Sequence, residues 1–306
     1  MKHERLLAGL VAAVHSPFRS DGSLHLAAVE AQAAHLLSHG IRVVFVGGST
    51  GECHSLSLEE RSQLARRWVE VARGTALGVV VHVGSNCLAD ARSLAAQAEA
   101  LGAAAVSALS PSYFKPRDLD TLVACCADIA AAAPRTPFYF YDIPVLTGVS
   151  LPMPDFLERA ASRIPTLAGL KFTSPDLMAY QLCLRAADGA FDVPWGVDEW
   201  LLAALALGAR GAVGSTYNFA APVYTRLLRA FADGDLEAAR REQFRSVQLV
   251  RLLAGHGYMG ASKAVMAMLG VDVGPARLPH ERLSADAAAQ LRGDLESLGF
   301  FDWARP

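Results

Sequence analysis

The sequence lacks the features of membrane-spanning and nucleic-acid-binding proteins. No apolar run reaches the roughly 18 residues that a transmembrane helix needs. It has no basic tract, and 28 Lys+Arg against 30 Asp+Glu leave a net charge of −2, so neither a membrane nor a nucleic acid is expected as a partner. Charged residues are only 19% of the 306 residues, and apolar residues are 52%. Because this composition can bury a large core, disorder is excluded, and one large or two smaller α/β domains are expected.

Signals for disulfides and for export are also weak. The five cysteines are an odd number and form no C-x-x-C pair, which is typical of a reducing compartment. Lys2 and Arg5 precede the apolar run of residues 6–14, as in a secretory signal. However, the run is short, no convincing cleavage site follows it, and residues 15–17 (HSP) are typical of a strand end. We therefore expect a cytoplasmic protein.

Short apolar runs alternate with helical patterns along most of the chain. Strands are predicted at residues 9–14, 41–46, 79–83, 104–109, 138–141, 168–172, 192–196 and 212–215. Helices are predicted between them, for example at residues 26–38, 58–72, 90–101 and 198–207. Eight strands with interleaved helices predict an α/β fold of the (β/α)8 TIM-barrel type. A doubly wound open sheet is the alternative that periodicity leaves open.

The pattern changes after residue 232. Residues 236–253, 262–269 and 285–298 have helical patterns with no strand between them. The sequence therefore predicts a barrel domain over residues 1–232. A small helical C-terminal subdomain over residues 233–306 is expected to pack on it.

Lysine is rare, and one lysine has an unusual place. Only 4 of the 28 basic residues are lysine, and only Lys171 lies inside a predicted strand. The strand period of two places Gly169, Lys171 and Thr173 on one face, near the end of the barrel where such folds keep their active sites. A buried amine there would have a lowered pKa and could attack a carbonyl carbon. The alternative is a lysine whose charged end merely reaches solvent at the strand end.

Two more segments follow predicted strands and carry polar groups. Residues 46–52 (VGGSTGE) match neither a P-loop nor a dinucleotide-binding motif. The backbone amides of that segment and the hydroxyls of Ser49 and Thr50 would suit a carboxylate, although a plain tight turn is the alternative. Residues 138–144 (FYFYDIP) place Tyr141 at the barrel rim, where a phenol could transfer a proton. Simple aromatic packing is the alternative for Tyr141.

The last two predicted strands are followed by residues 196–199 (GVDE) and 214–218 (GSTYN). Asp198 and Glu199 either stabilise a helix start or bind a polyhydroxylated ligand.

Motifs of other enzyme classes are missing. His35 and His39 are accompanied by neither a third metal ligand nor an H-E-x-x-H motif, and no G-x-S-x-G elbow occurs. A nicotinamide enzyme is disfavoured because the dinucleotide fingerprint is missing. We expect neither a metal nor another cofactor.

Together these segments resemble the dihydrodipicolinate synthase / N-acetylneuraminate lyase superfamily of Schiff-base aldolases. The resemblance runs from about residue 6 to about residue 278, with the motifs in the family's order. Residues 47–52 are similar to the loop that binds the carboxylate of pyruvate. Residues 141–144 (YDIP) are similar to the segment with the catalytic tyrosine, and residues 169–173 (GLKFT) to the strand with the Schiff-base lysine.

Within that superfamily the chain is most similar to the N-acetylneuraminate lyase branch. Residues 196–199 and 214–218 are similar to the sugar-binding segments of that branch, as are residues 143–148 (IPVLTG). Leu146 stands where dihydrodipicolinate synthases normally have an arginine that binds the carboxylate of aspartate semialdehyde. Leucine cannot partner a buried carboxylate. The resemblance therefore implies that the aldehyde portion of the substrate is a neutral polyol.

The resemblance implies reversible retro-aldol cleavage of N-acetylneuraminate to pyruvate and N-acetylmannosamine. Lys171 would form an imine with the C2 ketone, Ser49 and Thr50 would bind the C1 carboxylate, and Tyr141 would transfer the proton of the C4 hydroxyl. The groups implied to bind the acetamido-sugar are Thr173, Gly196, Asp198, Glu199 and Ser215. The partners implied are therefore a small sugar acid and pyruvate.

Residues 111–114 (PSYF) resemble a loop whose aromatic side chain reaches a neighbouring subunit's site in some members. This adds Tyr113 to the implied catalytic set of Lys171, Tyr141 and Thr50, and a homotetramer is expected on the same ground. Asp142 stands where Asn or another polar residue is common, and its charge could alter the pKa of Tyr141. Two other functions stay open: an aldolase or dehydratase of another 2-keto-3-deoxy sugar acid, and a non-catalytic sugar-acid sensor.

Overall fold

Seven short parallel strands form the centre of the molecule, which a computed structural model describes over residues 6–305. Lys2 and Arg5 lie outside that range, and the apolar run that follows them contains the first strand. The strands are β1 (Gly9–Ala13), β2 (Val43–Val46), β3 (Gly78–His82), β4 (Ala105–Leu109), β5 (Phe138–Asp142), β6 (Leu167–Phe172) and β7 (Gly211–Gly214). Each lies within two residues of a predicted strand at both ends.

The strands curl into a nearly closed barrel. The order in the sheet is β6-β5-β4-β3-β2-β1-β7, so β1 lies between β2 and β7. Between β6 and β7 lies the remaining predicted strand, residues 192–196, which forms only isolated bridges, including those of Trp195 with Phe172 and with Ala212. Pro194 has no N–H to donate, which prevents a regular ladder there. The TIM-barrel prediction is confirmed with seven regular strands, and the open-sheet alternative is wrong.

Side chains of the strands alternate between two apolar layers. Val44 and Phe140 belong to the outer layer under the helices, whereas Phe45 and Tyr141 belong to the inner layer that fills the barrel. Because helices cover the outer face of the sheet and the barrel interior covers the inner face, the strand sequences are nearly continuous apolar runs. The same alternation sends Lys171 of β6 inward, over the ring of Tyr141.

Helices cover the outside of the barrel: α1 (Ala28–Ser38), α2 (Leu58–Ala72), α3 (Leu88–Leu101), α4 (Leu119–Ala130), α6 (Met153–Ala161), α7 (Leu177–Arg185), α8 (Leu201–Leu207) and α9 (Ala221–Ala232). The short α5 (Pro144–Thr147) lies at the rim, directly after β5. The start of α2 agrees with its prediction because a capping box fixes it. The Ser57 side chain accepts from the Glu60 backbone N–H, and the Glu60 carboxylate accepts from the Ser57 N–H. The helix predicted at residues 198–207 is a short 3₁₀ turn, Asp198–Trp200, followed by α8.

The C-terminal part is helical, as predicted. Its helices are α10 (Leu236–Gly255), α11 (Tyr258–Met268), α12 (Ala285–Leu298) and α13 (Phe300–Trp303). Leu249 and Leu253 of α10 and Val265 of α11 belong to the same apolar cluster as the outer barrel layer. None of the helices within residues 6–305 combines the length and apolarity that crossing a membrane requires.

Candidate active site

A cavity of about 630 Å³ opens at the carboxyl ends of the strands. Its volume falls within the range of small-molecule sites, and its position is the one that TIM barrels use for catalysis. All but one of the residues predicted from the sequence line it. These are Ser49, Thr50, Tyr141, Lys171, Thr173, Gly196, Asp198, Glu199 and Ser215.

Lys171 is the only lysine among the described residues that line this cavity. It is 4% exposed, and its Nζ lies 4.0 Å from the ring centroid of Tyr141 and 4.8 Å from that of Phe45. Burial lowers the pKa of the Lys171 ammonium to about 7, while the Asp198 carboxylate acts in the opposite direction. A substantial fraction of Lys171 is therefore an uncharged, nucleophilic amine near neutral pH. The solvent-reaching alternative for Lys171 is wrong.

The glycine-rich loop after β2 brings hydroxyls into the same cavity as this amine. The Ser49 Oγ lies 3.3 Å from the Tyr141 hydroxyl, and Thr50 lines the same cavity. Behind the loop, the buried His82 ring lies 2.8 Å from the Gly47 carbonyl through Nδ1, and its Nε2 accepts from the Leu109 N–H at 3.3 Å. This pairing assigns the proton to Nδ1, which then donates to Gly47. His82 carries no motif, and sequence reasoning missed it.

Tyr141 contributes a neutral phenol. It is 3% exposed, and burial raises its pKa well above the ordinary value. The Asp142 charge also raises the pKa of Tyr141, but it is a smaller effect than burial. Asp142 itself lies in the outer layer and lines a separate cavity between α6 and α7, and burial raises the pKa of its carboxyl to about 7.

The opposite wall of the cavity is polar and tightly built. The Asp198 carboxylate accepts from the Thr216 backbone N–H at 2.9 Å and from the Thr216 hydroxyl at 2.6 Å. Burial raises the pKa of Asp198 and of Glu199. The Thr173 hydroxyl is buried and has no protein partner, and a Cβ at Gly196 would lie 2.0 Å from it. Thr173 therefore offers a free hydrogen-bonding group to a ligand.

Gly214 leaves the space in which the Asp198 carboxylate lies. A Cβ at Gly214 would lie 1.8 Å from an Asp198 carboxylate oxygen. We expect Gly214→Ala to lower the free energy of unfolding by about 1–3 kcal/mol, as for other overpacked sites, measured by urea denaturation. The control is Gly293→Ala in exposed α12, where a Cβ meets open space and alanine should add about 0.5–1 kcal/mol. Equal stability of the two variants would contradict the tight packing at Gly214.

The C-terminal helices supply part of the site that sequence reasoning did not foresee. Tyr258 and Met259 of α11 line the cavity, and the Tyr258 hydroxyl lies 2.6 Å from the Ser215 Oγ. The pattern that predicts α11 gives no signal for this contact, because the contact depends on how the helix packs over the barrel.

Tyr113 is the predicted site residue that lies elsewhere. It is 78% exposed and stacks edge-on against Phe114, and it does not line the cavity of its own chain. Residues 6–305 contain no group of three or more His, Cys, Asp or Glu side chains that could hold a metal ion.

Comparisons with known proteins agree with this fold. The model of the dihydrodipicolinate synthetase family matches residues 6–298. N-acetylneuraminate lyase of Gallus gallus is 38% identical over 302 residues, covering 97% of this chain and 98% of that protein.

Two solved structures illustrate how far the fold is shared. The Proteus mirabilis N-acetylneuraminate lyase superimposes with a TM-score of 0.93 at 40% identity, covering 96% of this chain and 99% of that one. The DHDPS of Cyanidioschyzon merolae with lysine bound gives a TM-score of 0.89 at 30% identity, covering 97% and 99%. With a family match over nearly its whole length, the chain belongs to the dihydrodipicolinate synthetase family.

Proposed function

We propose that the protein is an N-acetylneuraminate lyase, a carbon–carbon lyase that reversibly cleaves this sugar acid to pyruvate and N-acetylmannosamine. The observation that carries the proposal is the buried Lys171 amine, with its pKa lowered to about 7, in one cavity with Ser49, Thr50 and Tyr141. The 38–40% identity to named N-acetylneuraminate lyases over nearly the whole chain supports the choice of substrate.

In the proposed reaction, the free amine of Lys171 adds to the C2 ketone and water leaves, giving a protonated imine. The imine accepts the electron pair of the C3–C4 bond as that bond breaks. The C4 hydroxyl loses its proton and becomes the aldehyde of N-acetylmannosamine. The remaining enamine takes a proton at C3, and water releases pyruvate from Lys171.

Tyr141 is proposed to move these protons. Because burial keeps its phenol protonated, the oxygen can accept the C4 proton only as its own proton moves on. The neighbouring Ser49 hydroxyl at 3.3 Å or the bound carboxylate can receive it. Ser49 and Thr50, with the amides of their loop, are proposed to hold that carboxylate.

The polar wall favours a hydroxylated substrate over one with a second carboxylate. Asp198 and Glu199 would repel another anion, and no arginine is among the described residues that line the cavity. Leu146 lines it and is 63% exposed. Thr173, Gly196, Asp198, Glu199 and Ser215 are therefore proposed to bind the acetamido-sugar.

A coupled assay of pyruvate release tests the substrate. We expect kcat/KM for N-acetylneuraminate to exceed that for 2-keto-3-deoxygluconate by about a hundredfold, since buried polar groups left unpaired lower the affinity for an incomplete substrate. Condensation of pyruvate with aspartate semialdehyde should be slower still. A preference for 2-keto-3-deoxygluconate would favour the other aldolase. Binding of N-acetylneuraminate without pyruvate release would favour a sensor.

We further propose a cytoplasmic homotetramer in which Tyr113 reaches a neighbouring subunit's cavity. The exposure of Tyr113 and of Phe114, 78% and 86%, supports an interface at this loop.

The division into a barrel over residues 1–232 and a helical subdomain over residues 233–306 is likewise a proposal. It rests on the absence of strands after β7 among the described residues.

A further inference from the structure

A second lysine is buried but takes no part in the cavity. Lys263 lies on α11, and its side chain is 1% exposed. Its Nζ lies 2.6 Å from the Glu52 Oε1 and donates to the carbonyls of Ser16 at 2.9 Å and Pro275 at 3.0 Å. The Lys263 ammonium therefore donates two hydrogen bonds to carbonyls and forms an ion pair with the Glu52 carboxylate.

Glu52 is the last residue of the loop that carries Ser49 and Thr50. Its side chain is 0% exposed and does not line the cavity. Its Oε2 accepts from the Arg277 backbone N–H at 2.8 Å, and its own N–H donates to the Ser49 carbonyl at 3.0 Å.

The loop backbone is held in an unusual conformation at this point. Glu52 has φ +54°, a left-handed value that a residue other than glycine keeps only where its surroundings require it. The Ser16 hydroxyl also donates to the Gly51 carbonyl at 2.6 Å. Lys263 therefore contacts both Glu52 and the residue that binds Gly51.

The Glu52–Lys263 ion pair is better explained by the position of the loop than by the stability of the fold. A buried ion pair adds little net stability, because desolvation offsets the attraction, although it can fix one arrangement of the chain. Here the fixed element is the loop proposed to bind a carboxylate. The Lys263 ammonium also neutralises a Glu52 charge that would otherwise lie behind that loop and repel an anion.

We propose that Glu52 and Lys263 form a positioning pair that sets Ser49 and Thr50 for the substrate carboxylate. Affinity for the carboxylate then depends on a lysine of the C-terminal helices that does not touch the substrate. This inference rests on the proposed function, since it assumes that a 2-keto acid binds at Lys171.

The test compares pyruvate with its neutral analogue pyruvamide, both trapped on Lys171 by borohydride reduction of the imine. The readout is the ratio of the concentrations that give half-maximal trapping. Lys263→Met should lower the preference for pyruvate by about tenfold to a hundredfold, the size of a lost charge-assisted interaction. Glu52→Gln should lower it less, because its amide N–H₂ would face one of two donors, while the charge left unpaired is the Lys263 cation, which does not repel a carboxylate.

The double variant Glu52→Gln/Lys263→Met should recover part of the preference lost in Lys263→Met, because it removes the stranded carboxylate. Glu242→Gln is the matched control. Glu242 is a buried carboxylate of α10, paired with Arg226 at 3.2 Å and Arg245 at 2.6 Å, and its loss should leave the preference unchanged.

Two outcomes separate this inference from the proposed function. If the unchanged chain is trapped by pyruvate but neither single variant alters the preference, the pair is merely structural and the inference is overturned alone. If pyruvate does not react with Lys171 in the unchanged chain, the proposed function is overturned first. If Glu52→Gln does not fold, Lys263→Met and the double variant decide the question.

Discussion

Replacing Lys171 with methionine is expected to lower the rate of N-acetylneuraminate cleavage by about 10⁴-fold or more, the order seen when an enzyme loses its covalent nucleophile. Methionine is unbranched and close to the lysine stem in shape, so the cavity should keep its form. Without the imine, the electron pair of the breaking C3–C4 bond has no acceptor among the described residues of the cavity. Pyruvate release measures the rate, and mass spectrometry after borohydride treatment should find no pyruvyl adduct.

The same substitution is expected to stabilise the fold. Burial lowers the pKa of Lys171 from 10.5 to about 7, so below pH 10.5 the unfolded chain binds the proton more tightly than the folded one. The buried amine therefore costs stability at neutral pH. A methionine should recover about 4 kcal/mol at pH 7 in urea denaturation, by the linkage between pKa and folding.

The control is Arg163→Met at an exposed position in the turn after α6, which should change neither rate nor stability. Lost activity together with lost stability in Lys171→Met would instead indicate a structural lysine. A pyruvyl adduct on any other lysine would contradict the assignment of the nucleophile.

The sequence predicts residues that the structure brings together in one cavity. Lys171, Tyr141 and the loop with Ser49 each follow from a local pattern, an apolar strand with polar residues at its carboxyl end. Because parallel strands end at one rim, residues far apart in the chain meet there. The order of the motifs therefore predicted the juxtaposition that the structure describes.

The parts that sequence reasoning missed depend on contacts without a local pattern. Lys263 is predicted on a helix, but its pairing with Glu52, 211 positions earlier, depends on how α11 packs across the barrel. Tyr258 reaches Ser215 by the same packing. The strand predicted at residues 192–196 lies in the barrel wall as expected, but Pro194 prevents a regular ladder there.

The pH dependence of the reaction is the second large expected effect. Only the uncharged Lys171 amine attacks a ketone, so kcat/KM should rise about tenfold per pH unit up to pH 7 and level off above it, because this parameter follows the free enzyme. A lysine with its ordinary pKa would let the rate rise until about pH 10. The measurement is the coupled pyruvate-release assay across pH 5–9.

Asp198→Asn should move this midpoint to lower pH. The Asp198 carboxylate stabilises the charged ammonium and raises the pKa of Lys171. Removing that charge leaves burial as the dominant influence, so the amine loses its proton more easily. Because Asp198 is also proposed to bind the sugar, the plateau rate should fall while the midpoint shifts.

A second group titrates in the same range and must be separated from Lys171. Burial raises the pKa of Asp142 to about 7, and Asp142 follows Tyr141 directly in the chain. Its side chain lines the cavity outside the barrel rather than the active-site cavity, so Asp142→Asn should leave the acid limb of the profile in place. If the limb disappears in Asp142→Asn and survives in Asp198→Asn without a shift, the titrating group is Asp142. The free amine of Lys171 would then not limit the reaction near neutral pH.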